Sequence, residues 1–183
     1  MTGPLSRIAA TGMSGQRGRW RAWSQILLAA YLAVLIWVVL FKLSYDPAAV
    51  VRDYRTRSLN LVPFAGVSWS HGGELISNIV AFVPLGMLLG IVLPRTALWW
   101  RLGVACLVSV VLETTQFVLA IGTTDITDVI TNVLGALMGL VLYDVAARHI
   151  ARGTLDRAVV VTGTALLVAV VLIRVLVLRV KYV

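Results

Sequence analysis

The chain has 183 residues, 60% of them hydrophobic and 13% charged, where soluble domains average about 25% charged. With a mean hydropathy of +0.93, that balance excludes a soluble globular domain, and the length suits one domain rather than several. The 16 lysines and arginines outnumber the 8 acidic residues, for a net charge of +8. Because they flank long apolar runs, they point to anionic lipid head groups and not to nucleic acid.

Residues 1–24 are rich in Gly, Ser, Thr and Arg and read as a disordered basic tail, with Arg17, Arg19 and Arg21 just ahead of the first apolar stretch. That stretch covers about 25–43. It is longer than the roughly 7–15 residues of a signal-peptide core and no small-residue cleavage site follows, so it reads as a retained membrane helix. In the loop from Ser44 to Glu74, Asp46-Pro47 signals the start of a short interfacial helix. Tyr54 and Trp69 are candidate interface anchors there. Four further spans of membrane-crossing length follow at about 75–93, 98–119, 126–146 and 158–178, with short connections that favour antiparallel neighbours. The expected fold is all-α: a polytopic membrane bundle of about five transmembrane helices. The one cysteine, Cys106, sits in an apolar run and excludes an intramolecular disulfide, while His71 and His149 have no spaced partner for zinc.

Placing the N-terminus in the cytoplasm puts Arg7, Arg17, Arg19, Arg21, Arg95, Arg101, Arg148, Arg152 and Arg157 inside. Lys42, Arg52, Arg55, Arg57, Arg179 and Lys181 then lie outside, and Arg174 near the end of the last span snorkels to the interface. The positive-inside rule favours this orientation, in a multi-pass protein of the cell membrane.

Charged groups in hydrocarbon cost at least about 2.5–3.5 kcal/mol each at mid-depth, so their placement carries information. Asn78 near the start of the second span, Glu113 and Gln116 near the end of the third, and Asp125, Asp128 and Asn132 near the start of the fourth all face one side of the bilayer. Ser109, Glu113 and Gln116 share one helical stripe, as do Asp128, Asn132, Gly135 and Gly139. Glu113 lies about 9 Å below its helix end, within reach of Asn132 across a hairpin turned at Ala120–Thr124. Gly86 with Gly90, and Gly135 with Gly139, form two GxxxG motifs that admit close helix approach. Pro84 removes a backbone donor and should kink the second span. These stripes describe a polar pocket lined by three helices. Each member also has a structural explanation: Asp125 as an N-cap, Asp128 on the helix dipole, the asparagines as interhelical hydrogen bonds. Glu113 is the hardest to explain structurally, since a carboxylate at that depth needs a partner, a proton or a ligand.

Four segments in order resemble the VanZ-like membrane protein family. They are Asn60-Leu61-Val62-Pro63-Phe64, the run from Asn78 to Gly86, Glu113-Thr114-Thr115-Gln116, and the run from Asp125 to Gly135. The motifs fall within 58–139, the resemblance itself leaves 1–24 and the last span aside, and 25–183 is expected to form one VanZ-like transmembrane domain. It departs from the family pattern at Gly122, where an arginine usually stands; Arg55 or Arg57 from the long loop is the available substitute. The resemblance implies a cell-envelope role linked to tolerance of teicoplanin, a lipid-tailed glycopeptide.

Two functions from different classes are compatible with these residues. In the first, Asn60, Asn78, Ser109, Glu113, Gln116, Asp125, Asp128 and Asn132 bind an amphiphile, a lipid-linked cell-wall molecule, a lipoglycopeptide or a lipid head group in the outer leaflet, without cofactor. In the second, an intramembrane enzyme acts on a lipid-linked or phosphorylated substrate, with Glu113 as base and Mg²⁺ held by Asp125 and Asp128. No nucleophile and no Ser/His/Asp set accompanies them. Membrane lipids are the expected partners, and a homodimer is compatible with the pattern. Five spans without a visible inverted repeat argue against a stand-alone transporter.

Overall fold

The computed structural model describes residues 4–41, 56–65 and 72–181. The expectations for Lys42, Asp46-Pro47, Arg52, Tyr54, Arg55, Trp69 and His71 fall outside these residues, as do the side chains of Arg57 and Arg174. In chain order the elements are α1 (Pro4–Phe41), β1 (Thr56–Asn60), α2 (Gly72–Val92), α3 (Leu98–Leu119), β2 (Ile121–Asp125), α4 (Ile126–His149) and α5 (Arg152–Lys181).

Among the described residues, five helices are long and apolar enough to cross a membrane: Ala22–Leu40, Gly73–Val92, Leu98–Leu119, Ile126–His149 and Arg152–Leu172. These match the expected spans to within a few residues, apart from an earlier start in the last. The tail ahead of the first span differs from expectation. α1 already begins at Pro4, so residues 4–24 are helical rather than irregular. Once the apolar span has supplied the nucleus, each added residue costs little. Ala9, Ala10, Met13 and the arginines propagate well, and Pro4 is tolerated in a first turn.

The tightest packing joins α2 to α4, and it is made by glycines. A Cβ on Gly86 would come closer than 3.0 Å to the carbonyl of Ala136, and one on Gly135 or Gly139 closer than 3.0 Å to the carbonyl of Ile79 or Val83. Gly90 faces the ring of Tyr143 in the same way. Both GxxxG motifs therefore close the same seam from opposite sides, as small residues do where lipid gives helices no hydrophobic drive to associate. Phe82, Leu85, Leu89, Ala136 and Leu140 fill the seam, with Leu35 of α1 and Ala105 and Leu112 of α3 packed around it. Leu107, Val111, Val118, Leu142 and Leu166 are exposed, which is the expected state of side chains facing acyl tails. Pro84 lines an apolar cavity of about 560 Å³ between α1, α2 and α5. Nearby, the Tyr31 hydroxyl donates to the carbonyl of Ala81.

The all-α expectation omits one small element. β1 and β2 pair in parallel, with Thr56 opposite Ile121 and Asn60 opposite Asp125. Parallel strands need a crossover connection, here supplied by α2 and α3. α3 stops at Ala120, whose left-handed backbone (φ 55°, ψ 39°) turns the chain into β2. Ile121 is deeply buried, at 1% exposure, and the sequence of that strand, Ile-Gly-Thr-Thr-Asp, has none of the alternation that would mark a strand.

The glycine seam makes two opposite expectations. Gly139→Ala should destabilise the protein by about 1–3 kcal/mol through overpacking. Gly103→Ala, with nothing within 4 Å of the new Cβ, should be stabilising by about 0.5–1 kcal/mol. Thermal unfolding of both variants in mild detergent checks the contrast.

Candidate functional site

The β ribbon and the α3–α4 hairpin build one polar cluster at one end of the bundle. Its geometry starts at Asp125, the last residue of β2 and the N-cap of α4, with extended backbone (φ −123°, ψ 128°). One carboxylate oxygen accepts the Thr127 amide at 2.7 Å, the bond that satisfies an otherwise orphaned N–H at a helix start. The other accepts Asn60 Nδ2 at 2.9 Å, because the parallel register sets Asn60 directly across from it. Asn60 Oδ1 in turn accepts the Val62 amide at 3.1 Å, an Asx-type turn. The Phe64 amide donates to Thr127 Oγ1 at 2.9 Å. The segment after β1 is thus tied to the start of α4.

Burial alone would raise the Asp125 carboxyl, but the hydrogen bonds from Thr127 and Asn60 outweigh it and hold the group below its ordinary value of 3.8.

Glu113 meets this cap from α3. Its carboxylate accepts the Asp125 amide at 3.3 Å, and Thr124 Oγ1 donates to its backbone carbonyl at 3.2 Å. One turn deeper, Asn132 Nδ2 donates to Ser109 Oγ at 3.0 Å. On the α2 side Asn78 Nδ2 donates to Asp128 Oδ1 at 2.7 Å, and Asp128 and Asp125 both act electrostatically on Glu113. The floor is closed: Ser109, Asn132 and Glu113 are 0%, 2% and 4% exposed. The rim of Asn60, Asn78, Asp125 and Asp128 is half-buried. Asn132 Oδ1 is buried with no hydrogen-bond partner among the described residues.

Seven of the eight expected site residues therefore come together. The eighth, Gln116, is turned away: its Nε2 donates to the Val39 carbonyl at 3.0 Å. That carbonyl belongs to the last turn of α1, where the helix itself offers no donor, so Gln116 caps α1. Asn132 bonds Ser109 rather than Glu113 or Gln116. The register also places Arg57 opposite Gly122, where the family pattern has its arginine.

The other end of the bundle carries a pair that the sequence reading missed. Arg101 holds Asp144 with two bonds of 3.0 and 2.7 Å, an ion pair across the α3–α4 hairpin in which Arg101 is 6% exposed. The two residues lie equally far from the hairpin turn, and that symmetry is the signal that identifies them. Beside them Tyr143 donates to Asp156 of α5 at 2.6 Å.

A helical bundle crossing the membrane five times, with acidic and amide side chains gathered at one end, defines the class: a small multi-pass membrane protein. A family model described as VanZ/LLP1 matches residues 28–147. "Protein VanZ" of Enterococcus faecium is 41% identical over 160 residues, which cover 87% of this chain and 97% of that protein. The chain belongs to the VanZ/LLP1 family. No solved structure gives a significant match.

The cap sets a pH expectation. A carboxyl lowered on folding contributes stability that is complete above its unfolded value of 3.8 and fades as the pH falls from there through the lower folded value. Asp125→Asn keeps the cap but should flatten the acid limb of a stability profile. Asp125→Ala should cost about 0.5–2 kcal/mol at neutral pH. Unfolding midpoints measured from pH 7 down to pH 3 separate the two.

Proposed function

We propose that the chain holds the polar part of an amphiphilic envelope molecule at this cluster: a lipid head group, a lipid-linked cell-wall molecule or a lipoglycopeptide. In doing so it contributes to tolerance of glycopeptide antibiotics such as teicoplanin, or of envelope stress more broadly. In this reading the N-terminus is cytoplasmic and the cluster lies in the outer leaflet, where such molecules are found. Arg95, Arg101, Arg148, Arg152 and Arg157 at the opposite end support that orientation.

The observation that carries the proposal is the convergence of Asn60, Asn78, Ser109, Glu113, Asp125, Asp128 and Asn132 from separate segments. With them comes a buried Asn132 oxygen that lacks a donor. Polar groups at membrane depth are costly and mark functional sites by default. The half-buried rim presents acceptors to hydroxyl, amide or ammonium groups, and the buried floor holds the rim in place.

The enzymatic alternative needs Glu113 free as a base and Asp125 and Asp128 free for Mg²⁺. Both Asp125 oxygens are already engaged, and so is one of Asp128. Each engaged oxygen keeps a second lone pair suited to a hydrogen-bond donor, and no Ser/His/Asp set accompanies Glu113 among the cluster residues, which favours holding over chemistry.

Asn132→Leu should abolish teicoplanin tolerance in a sensitive host. Glu113→Gln, which keeps an acceptor for the Asp125 amide, should retain most of it. The reverse ranking of inhibitory concentrations, in variants that reach the membrane equally, would move the assignment to chemistry. For orientation, Gly122→Cys in a Cys106→Ala background should react with an impermeant maleimide on intact cells, and Arg152→Cys should react only once the membrane is opened. The opposite pattern would invert the topology.

A further inference from the structure

A cavity with charged lining lies at the end of the bundle opposite the carboxylate cluster. It measures about 530 Å³ and is walled by the α2–α3 turn, the Tyr143 level of α4 and the start of α5. Its lining divides by chemistry. Ile91, Val92 and Leu93 supply an apolar wall, while Arg95 and Arg152 supply two guanidinium groups. Among the described residues on its wall the one acid is Asp156, which accepts the Tyr143 hydroxyl. Among the described residues neither arginine has an ion-pair partner. By contrast, Arg101, a short distance along the chain, is held by Asp144 through both terminal guanidinium nitrogens.

The depth of the cavity is marked independently. Trp99 and Trp100 open α3 directly after the turn, pack edge to face with ring centroids 5.5 Å apart, and are 70% and 55% exposed. Large exposed indoles at a helix end belong to the head-group layer of a bilayer. Two arginines that make no ion pair, against one carboxylate, leave this wall with net positive charge beside an apolar face at head-group depth. That balance suits a phosphate ester of net negative charge attached to an acyl glycerol. Guanidinium forks suit phosphate oxygens. A zwitterionic head group would bring its own cation to the same site.

We propose that this cavity is a binding site for an anionic phospholipid, with Arg95 and Arg152 on the phosphate and Ile91, Val92 and Leu93 against the glycerol and upper acyl chains. The site is separate from the carboxylate cluster and does not depend on what that cluster holds.

Native mass spectrometry of the purified chain in mild detergent, titrated with phosphatidylglycerol or phosphatidylcholine, tests it. Phosphatidylglycerol should bind at least about ten-fold tighter than phosphatidylcholine. Arg95→Gln with Arg152→Gln should erase that preference. Arg148→Gln, a basic residue at the same end that does not line the cavity, should keep it, and all variants should retain the unfolding temperature of the parent. Equal binding of the two lipids, or an undiminished preference in the double variant, overturns the proposal. Displacement of phosphatidylglycerol by millimolar inorganic phosphate would assign the cavity to free phosphate and overturn the lipid assignment. No displacement supports the lipid.

Discussion

The architecture depends on one backbone-to-backbone contact. Where α2 meets α4, Gly86, Gly135 and Gly139 leave no room for a Cβ, and the two helices touch through peptide groups. In lipid, apolar side chains gain little by leaving one hydrocarbon environment for another, so close packing and polar bonds must hold helices together. A contact between main chains is also indifferent to rotamers and fixes the axial register of the pair. That register places Asn78 of α2 beside Asp128 of α4 and brings Tyr143 under Gly90. The polar groups at both ends are therefore aligned by a seam that contains none of them.

Polar residues lie at both ends of this seam, and they are treated differently. At one end Arg101 and Asp144 neutralise each other in a bidentate pair, the arrangement that makes a desolvated guanidinium tolerable. At the other, three carboxylates gather with asparagines, threonines and backbone amides around them. Asp125 serves as helix cap, strand partner and acceptor for Asn60 at once, so local structure and site geometry cannot be separated there. The first end holds one neutralised pair beside Arg95 and Arg152, which make no ion pair among the described residues; the second presents acceptors at its rim.

Much of this was legible in the sequence, for reasons that can be named. Long apolar runs determine spans, and helical spacing puts Glu113 with Ser109 and Asp128 with Asn132. The parallel ribbon was not legible, because Thr-Arg-Ser-Leu-Asn and Ile-Gly-Thr-Thr-Asp have no period-two apolar signature. Gln116 shares a stripe with Glu113, yet a neighbouring helix end with unpaired carbonyls claimed it. A stripe gives a direction but not the partner found along it. The Arg101–Asp144 pair has no local signal, because its members lie 43 positions apart on different helices and an arginine at a span end reads equally well as a topology marker. The helical extension of α1 back to Pro4 was masked by its glycines and serines, whose weak propensity matters less once a long apolar helix is already nucleated beside them.

The parallel pairing of β1 with β2 has a bearing on biogenesis. Asn60 and Asp125 become neighbours only after the two intervening helices have each crossed the bilayer in opposite senses and brought the chain back to the same surface. A ribosome-bound intermediate that has inserted α2 but not α3 holds the two halves of the ribbon on opposite sides of the membrane. The two-stranded pairing is thus a latch that closes only on a correctly threaded polypeptide, and the carboxylate cluster is completed in the same event.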